Sequence, residues 1–133
     1  MAKIASFRQL IVWQKAMSLA ETCYVICRAL PDFEEFVLGA QLRKAAISVA
    51  SNIAEGQRLT TRSFRAHLRI ALGSEAEIET QMELAARLGF IARATVDAAL
   101  AQAEEVARLL RGLMVSLPTT SPVRTSTTAK LQR

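Results

Sequence analysis

Residues 41–56 read QLRKAAISVASNIAEG, and their spacing decides the fold. Wound as a helix, Leu42, Ala46, Val49 and Ile53 fall on one apolar line at intervals of four, three and four, the mark of a face turned to a core. Beside it Gln41, Ala45, Ser48, Asn52 and Glu55 form a second, mostly polar line. Polar groups bordering a dry face need hydrogen-bond partners once a neighbouring helix covers them. They are expected to form either a structural network or a site.

The same period extends in both directions from this stretch. Upstream, Leu10, Trp13, Met17, Ala20, Tyr24 and Cys27 predict the core seam of a first helix over about 7–30, which Pro31 stops. A second apolar shoulder, Ile11, Val12, Leu19, Val25 and Ile26, lies to one side of that seam. A shoulder that wide asks for another surface, so self-association or an adaptor role through it is expected. Asp32 and Glu35 predict a capping box for the second helix, and Gly56 its left-handed end. Downstream, Thr60 or Thr61 caps a third helix reaching about Leu88, with Phe64, Leu68, Ala71, Glu75, Ile78, Met82 and Ala85 on its seam. Within it Gly73 predicts close approach of another backbone, because an interior glycine otherwise destabilises a helix by roughly 1 kcal/mol. Gly89 ends that helix, and Val96, Leu100, Ala103, Ala107, Leu110, Met114 and Leu117 predict a fourth over about 95–117. The fold class is therefore all-α: an antiparallel up-down-up-down four-helix bundle over 1–117, followed by a disordered basic tail over 118–133, rich in Thr, Ser and Pro.

Composition narrows the function classes. Neither a signal peptide pattern nor a membrane-length apolar run occurs, and the two cysteines, Cys23 and Cys27, read as reduced core thiols, so a cytoplasmic protein is expected. His67 is the single histidine, and its neighbours Ser63 and Phe64 exclude the Glu-x-x-His pattern of di-iron bundles, so neither metal nor cofactor is expected. No glycine-rich phosphate loop or nucleophile elbow is present, and no catalytic residue is assigned. The carboxylates Glu55 and Glu75 could pair as a small-molecule or catalytic site. The simpler expectation joins Arg43, Ser48, Asn52, Glu55 and Glu75 in a structural polar network.

The net charge is +5, from 17 Lys and Arg against 12 Asp and Glu, and it is unevenly spread. Arg58, Arg62, Arg65 and Arg69 recur at four, three and four along the third helix and its entrance, and the same line continues into Glu79 and Glu83. Cations early and anions late oppose the helix dipole. Two partners would reward that order: a staggered second copy pairing basic with acidic halves, or the phosphate backbone of RNA or DNA. No aromatic stacking residue falls on the line of these arginines, which disfavours single-strand recognition.

Several fragments together resemble one family, the 23S rRNA intervening-sequence proteins. They are Phe7-Arg8-x-Leu10-x-Val12-Trp13-Gln14-Lys15-Ala16, Gln41-Leu42-Arg43-Lys44-Ala45-Ala46, Ser51-Asn52-Ile53-Ala54-Glu55-Gly56, Gly73-Ser74-x-x-Glu77 with Glu79-Thr80, and Leu88-Gly89. The resemblance implies a non-enzymatic bundle that assembles into a ring, commonly a homopentamer, with a largely undefined role. A related bundle family, accessory to reverse transcriptases, adds nucleic acid as an implied partner. The expected oligomer interface comprises Ile11, Val12, Leu19, Val25, Ile26, Glu79 and Glu83; no membrane partner is expected.

Overall fold

The structure, a computed structural model, describes residues 6–119. A 3-10 turn at Phe7–Gln9 leads into α1 (Ile11–Ala29), a second such turn at Asp32–Glu34 precedes α2 (Leu38–Gln57), and α3 (Thr61–Arg87) and α4 (Arg93–Ser116) complete the bundle. Each helix packs on its chain neighbours and α1 closes the ring against α4. The pairings Ser48 with Ser74 and Asn52 with His67 run in opposite directions along α2 and α3, as do Arg65 with Met114 and Glu83 with Arg93 along α3 and α4. No helix among the described residues is long and apolar enough to cross a membrane. The tail expected over 118–133 lies outside the described residues from position 120 onward.

In α1 the core face falls between the two lines read from the sequence, taking Val12, Leu19 and Ile26 from the shoulder while Leu10, Trp13, Ala20 and Cys27 of the seam pack partly against it. Val12, Ala16, Leu19, Cys23 and Ile26 are buried, whereas Met17 and Tyr24, read as seam, are exposed. Both lines have helical spacing, so periodicity alone cannot say which turns inward. The inward line carries the smaller Ala16 and Cys23, which let α1 lie close to its neighbours. Val12, Leu19 and Ile26 are therefore removed from the expected oligomer interface, while Ile11 and Val25 remain exposed. Cys23 and Cys27 are free, and burial pushes the Cys23 thiol up to about 12, with a smaller contribution from the neighbouring Cys27. Neither behaves as a reactive thiolate, since burial also raises Cys27 despite the Arg43 guanidinium beside it.

The helix ends follow capping chemistry, with two corrections. The Asp32 and Glu35 box does not form; Asp32–Glu34 tightens into the 3-10 turn, and the Glu34 carboxylate instead accepts the Leu38 amide at 3.2 Å. The fourth helix starts at Arg93 rather than Thr95 and has no side-chain cap. Arg93 is fixed there by donating to both carboxylate oxygens of Glu83, at 2.8 and 3.0 Å. At α3 the Thr60 hydroxyl accepts the Ser63 amide at 3.3 Å, and Gly89 takes the left-handed conformation (φ 76°) that ends the helix.

Of the other two glycines singled out in the sequence, Gly56 takes the role expected of Gly73. Gly56 lies inside α2, right-handed and buried, where a Cβ would stand 2.8 Å from both His67 Cβ and Phe64 Cδ1. Gly73 is exposed, with nothing within 4 Å of an added Cβ. The close approach of backbones is thus at Gly56, and α2 meets α3 there more intimately than a side chain permits. Gly56→Ala is expected to destabilise the bundle by about 1–3 kcal/mol through forced displacement of α3. Gly73→Ala should stabilise it by roughly 0.5–1 kcal/mol through helix propensity. Urea unfolding of both variants checks the pair, and equal effects would contradict this assignment.

Candidate nucleic-acid interface

The polar line of α2 finds its partners on α3. Ser48 Oγ and Ser74 Oγ lie 2.7 Å apart, and Asn52 Nδ2 donates to the Ser48 carbonyl at 2.9 Å and to Ser48 Oγ at 3.1 Å. Asn52 Oδ1 lies 2.9 Å from His67 Nδ1, which must carry the proton to donate there. Glu55 Oε1 stands 3.9 Å from the same nitrogen on the solvent side. Every member is thus engaged, and the chain of bonds fixes the register of α2 on α3. Ser48 and Asn52 belong to it; Glu55 only approaches its solvent edge, and Arg43 and Glu75 do not join it. Arg43 turns the other way and donates to the Glu35 carbonyl at 3.1 Å, tying down the loop before α2. Missing from the expected set was His67, which had no periodic signal because it sits beside the seam rather than on it.

Glu75 lies on the α4 side of α3, so no carboxylate pair with Glu55 exists. It is 2% exposed, and its Oε2 has no hydrogen-bond partner. Burial foremost, then a hydrogen bond and charge repulsion from Glu79, push its carboxyl from the ordinary 4.5 to about 8; the Arg111 cation opposes this and Glu104 adds to it. The acid form of Glu75 is therefore favoured into the neutral range. Glu83 is occupied within the chain, its carboxyl held at about 2 by Arg93 and Arg87. This loosens the case for Glu83 as a contact between subunits.

The arginine stripe is divided by the fold. Arg65 is half-buried and caps the end of α4, donating to the carbonyls of Met114 at 2.6 Å, Leu117 at 3.3 Å and Pro118 at 3.0 Å. It neutralises the negative end of that helix and leaves the expected interface. Arg58, Arg62 and Arg69 are exposed. The 3-10 turn adds Arg8: its guanidinium carbon lies 4.7 Å from the centroid of the Phe7 ring, and that of Arg58 lies 5.4 Å from the same ring. Phe7 in turn meets Trp13 edge to face at 5.2 Å. Arg8, Phe7 and Trp13 were not expected at this end. The signal that could have placed them is Ser6-x-x-Gln9, a capping box that forms in full.

The two ends of the bundle therefore differ in how their cations are used. At the end holding the α3–α4 connection, Arg87 and Arg93 bind Glu83, and Arg93 also reaches Asp97 at 3.5 Å. At the other end, Arg8, Arg58, Arg62 and Arg69 make no ion pair with a carboxylate among the described residues. Such a cluster can neutralise phosphates.

A family model described as 23S rRNA-intervening sequence protein matches residues 8–112. Among solved structures, a protein of unknown function from the S23 ribosomal protein family of Bacteroides thetaiotaomicron is similar, with a TM-score of 0.74 and 25% identity over 78% of this chain and 98% of that one. No curated protein matches the chain.

The raised Glu75 acid makes stability depend on pH with a definite sign. Between its unfolded value of 4.5 and its folded value of about 8, folding takes up a proton. Stability from this group is complete below 4.5 and is lost as pH rises through 8, at about 1.4 kcal/mol per pH unit at most. Glu75→Gln, which keeps the shape but cannot ionise, is expected to flatten that decline, so that the variant gains most at pH 9 and least at pH 4. Urea midpoints across that range test it; parallel curves for the two proteins would contradict the raised acid.

Proposed function

Because the chain belongs to the 23S rRNA-intervening sequence protein family, we propose that it is a cytoplasmic, non-enzymatic homo-oligomer that holds RNA or DNA by the phosphate backbone at the basic end of its bundle. One observation carries this reading: Arg8, Arg58, Arg62 and Arg69 gather at one end without carboxylate partners among the described residues, while Arg87 and Arg93 at the opposite end are paired. A phosphate chain rewards unpaired surface cations by releasing its condensed counterions. Repetition of the end around a ring, five copies as the resemblance implies, would multiply a weak contact into a strong one.

Binding of labelled RNA should weaken steeply with salt, and each of Arg62→Ala and Arg69→Ala should lower the slope of log affinity against log salt by about one. Arg65→Ala should leave that slope alone and lower the melting temperature, since it frees the carbonyls ending α4. Absence of RNA and DNA binding at low salt would sink the proposal.

Self-association is supported by an apolar groove of about 510 Å³ between α1 and α2, whose rim carries Met17, Tyr24, Val25 and Ile47. Val25 is 59% exposed and Ile47 50%, large for aliphatic side chains facing one another across a groove. Light scattering at micromolar concentration is expected to give an oligomer, and Val25→Glu with Ile47→Glu should shift it toward monomer with the helix content retained. A monomeric parent protein would refute the assembly.

A further inference from the structure

We infer that the Phe7, Arg8 and Arg58 cluster is a stacking platform for an unpaired base, so that the basic end takes single-stranded in preference to duplex nucleic acid. This rests on the nucleic-acid reading above and names its substrate class.

Three features carry it. The first is composition: two guanidiniums lie within 4.7 and 5.4 Å of the centroid of one aromatic ring, and that ring also meets Trp13 at 5.2 Å. A guanidinium on an aromatic face presents a flat, cationic, poorly hydrated surface, the surface on which a nucleobase stacks while its phosphate meets the charge. The second is charge: two like charges are gathered on one ring with no carboxylate paired to either among the described residues. That arrangement is unfavourable on its own and is relieved by an anion. The third is rigidity. Ser6 Oγ accepts the Arg8 amide at 3.2 Å, Gln9 Oε1 accepts the Ser6 amide at 3.2 Å, and Gln14 Nε2 donates to the Arg8 carbonyl at 2.9 Å. Three side chains thus hold a single surface turn, and Arg8 is delivered in a set position, which lowers the entropic cost of contact. Duplex nucleic acid hides its base faces and would use only the charge; a single strand uses both charge and ring.

The test compares full-length protein binding to an oligouridylate and to a mixed-sequence RNA duplex, each of about 20 residues per strand, at one salt concentration. Phe7→Ala, and separately the double variant Arg8→Lys with Arg58→Lys, are expected to lower the ratio of single-strand to duplex affinity by roughly ten-fold with the salt slope unchanged. The lysine variant keeps the charge and the ring, so it decides the matter should Phe7→Ala fail to fold. Trp13, the single tryptophan of the chain, provides a label-free signal, and its emission should change with the oligouridylate and not with the duplex. An unchanged affinity ratio in the lysine variant overturns the platform while leaving backbone binding in place. Failure of the parent protein to bind either RNA at low salt overturns both.

Discussion

The bundle depends on how closely α2 approaches α3 at Gly56. With no Cβ at this position, the two backbones come near enough for His67 and Phe64 to lie directly against the α2 chain. That proximity brings the polar line of α2 within hydrogen-bonding reach of α3, so that Ser48 meets Ser74 and Asn52 meets His67. A bulkier residue would widen the gap and leave these groups unpaired in a partly dry interface, where each lost bond carries a desolvation penalty of roughly 1–3 kcal/mol. Register and packing are therefore a single property here. Slipping α3 by one turn would break every bond in the seam at once.

Much of this was legible in the residue spacing. The apolar line of Leu42, Ala46, Val49 and Ile53 is buried throughout, the caps at Thr60 and Gly89 form where turn chemistry puts them, and the polar line of α2 is a network. What escaped has a common physical cause, which is that spacing reports faces and not distances. In α1 two apolar lines share one period, and only the small side chains of Ala16 and Cys23 reveal which lies inward. Gly56 and Gly73 look alike in a helical pattern, and the one beside a neighbouring backbone is known only once α3 is docked. Arg65 reads as one of a stripe until the end of α4 arrives within reach of it. Glu75 reads as a polar seam member, and burial beside Glu79 pushes its carboxyl well above the usual range.

Charge follows the same division between what a chain contains and where the fold sends it. The excess of basic residues is modest as a sum, but folding pairs Arg87 and Arg93 at one end with Glu83 and Asp97 and leaves Arg8, Arg58, Arg62 and Arg69 at the other without carboxylates among the described residues. These cations sit at the positive, N-terminal pole of the α3 dipole and add to its potential rather than offsetting it. Such a field orients an approaching polyanion before contact. Gathering of Arg8 and Arg58 on Phe7 then adds a short-range, shape-dependent element to a long-range, shape-independent one.

The Arg65 clamp on α4 has a dynamic consequence. The last turn of a terminal helix is ordinarily the first part of a domain to open, since few contacts oppose its fraying. Here three carbonyls from that turn and the residues after it converge on one guanidinium rooted in α3. Opening the end of α4 requires freeing a half-buried cation, so this end joins the same cooperative unit as the first turns of α3. Amide protons of the final turn of α4 should thus exchange with those around Arg62 rather than ahead of them, and the basic end keeps its shape through the small motions that blur most chain termini.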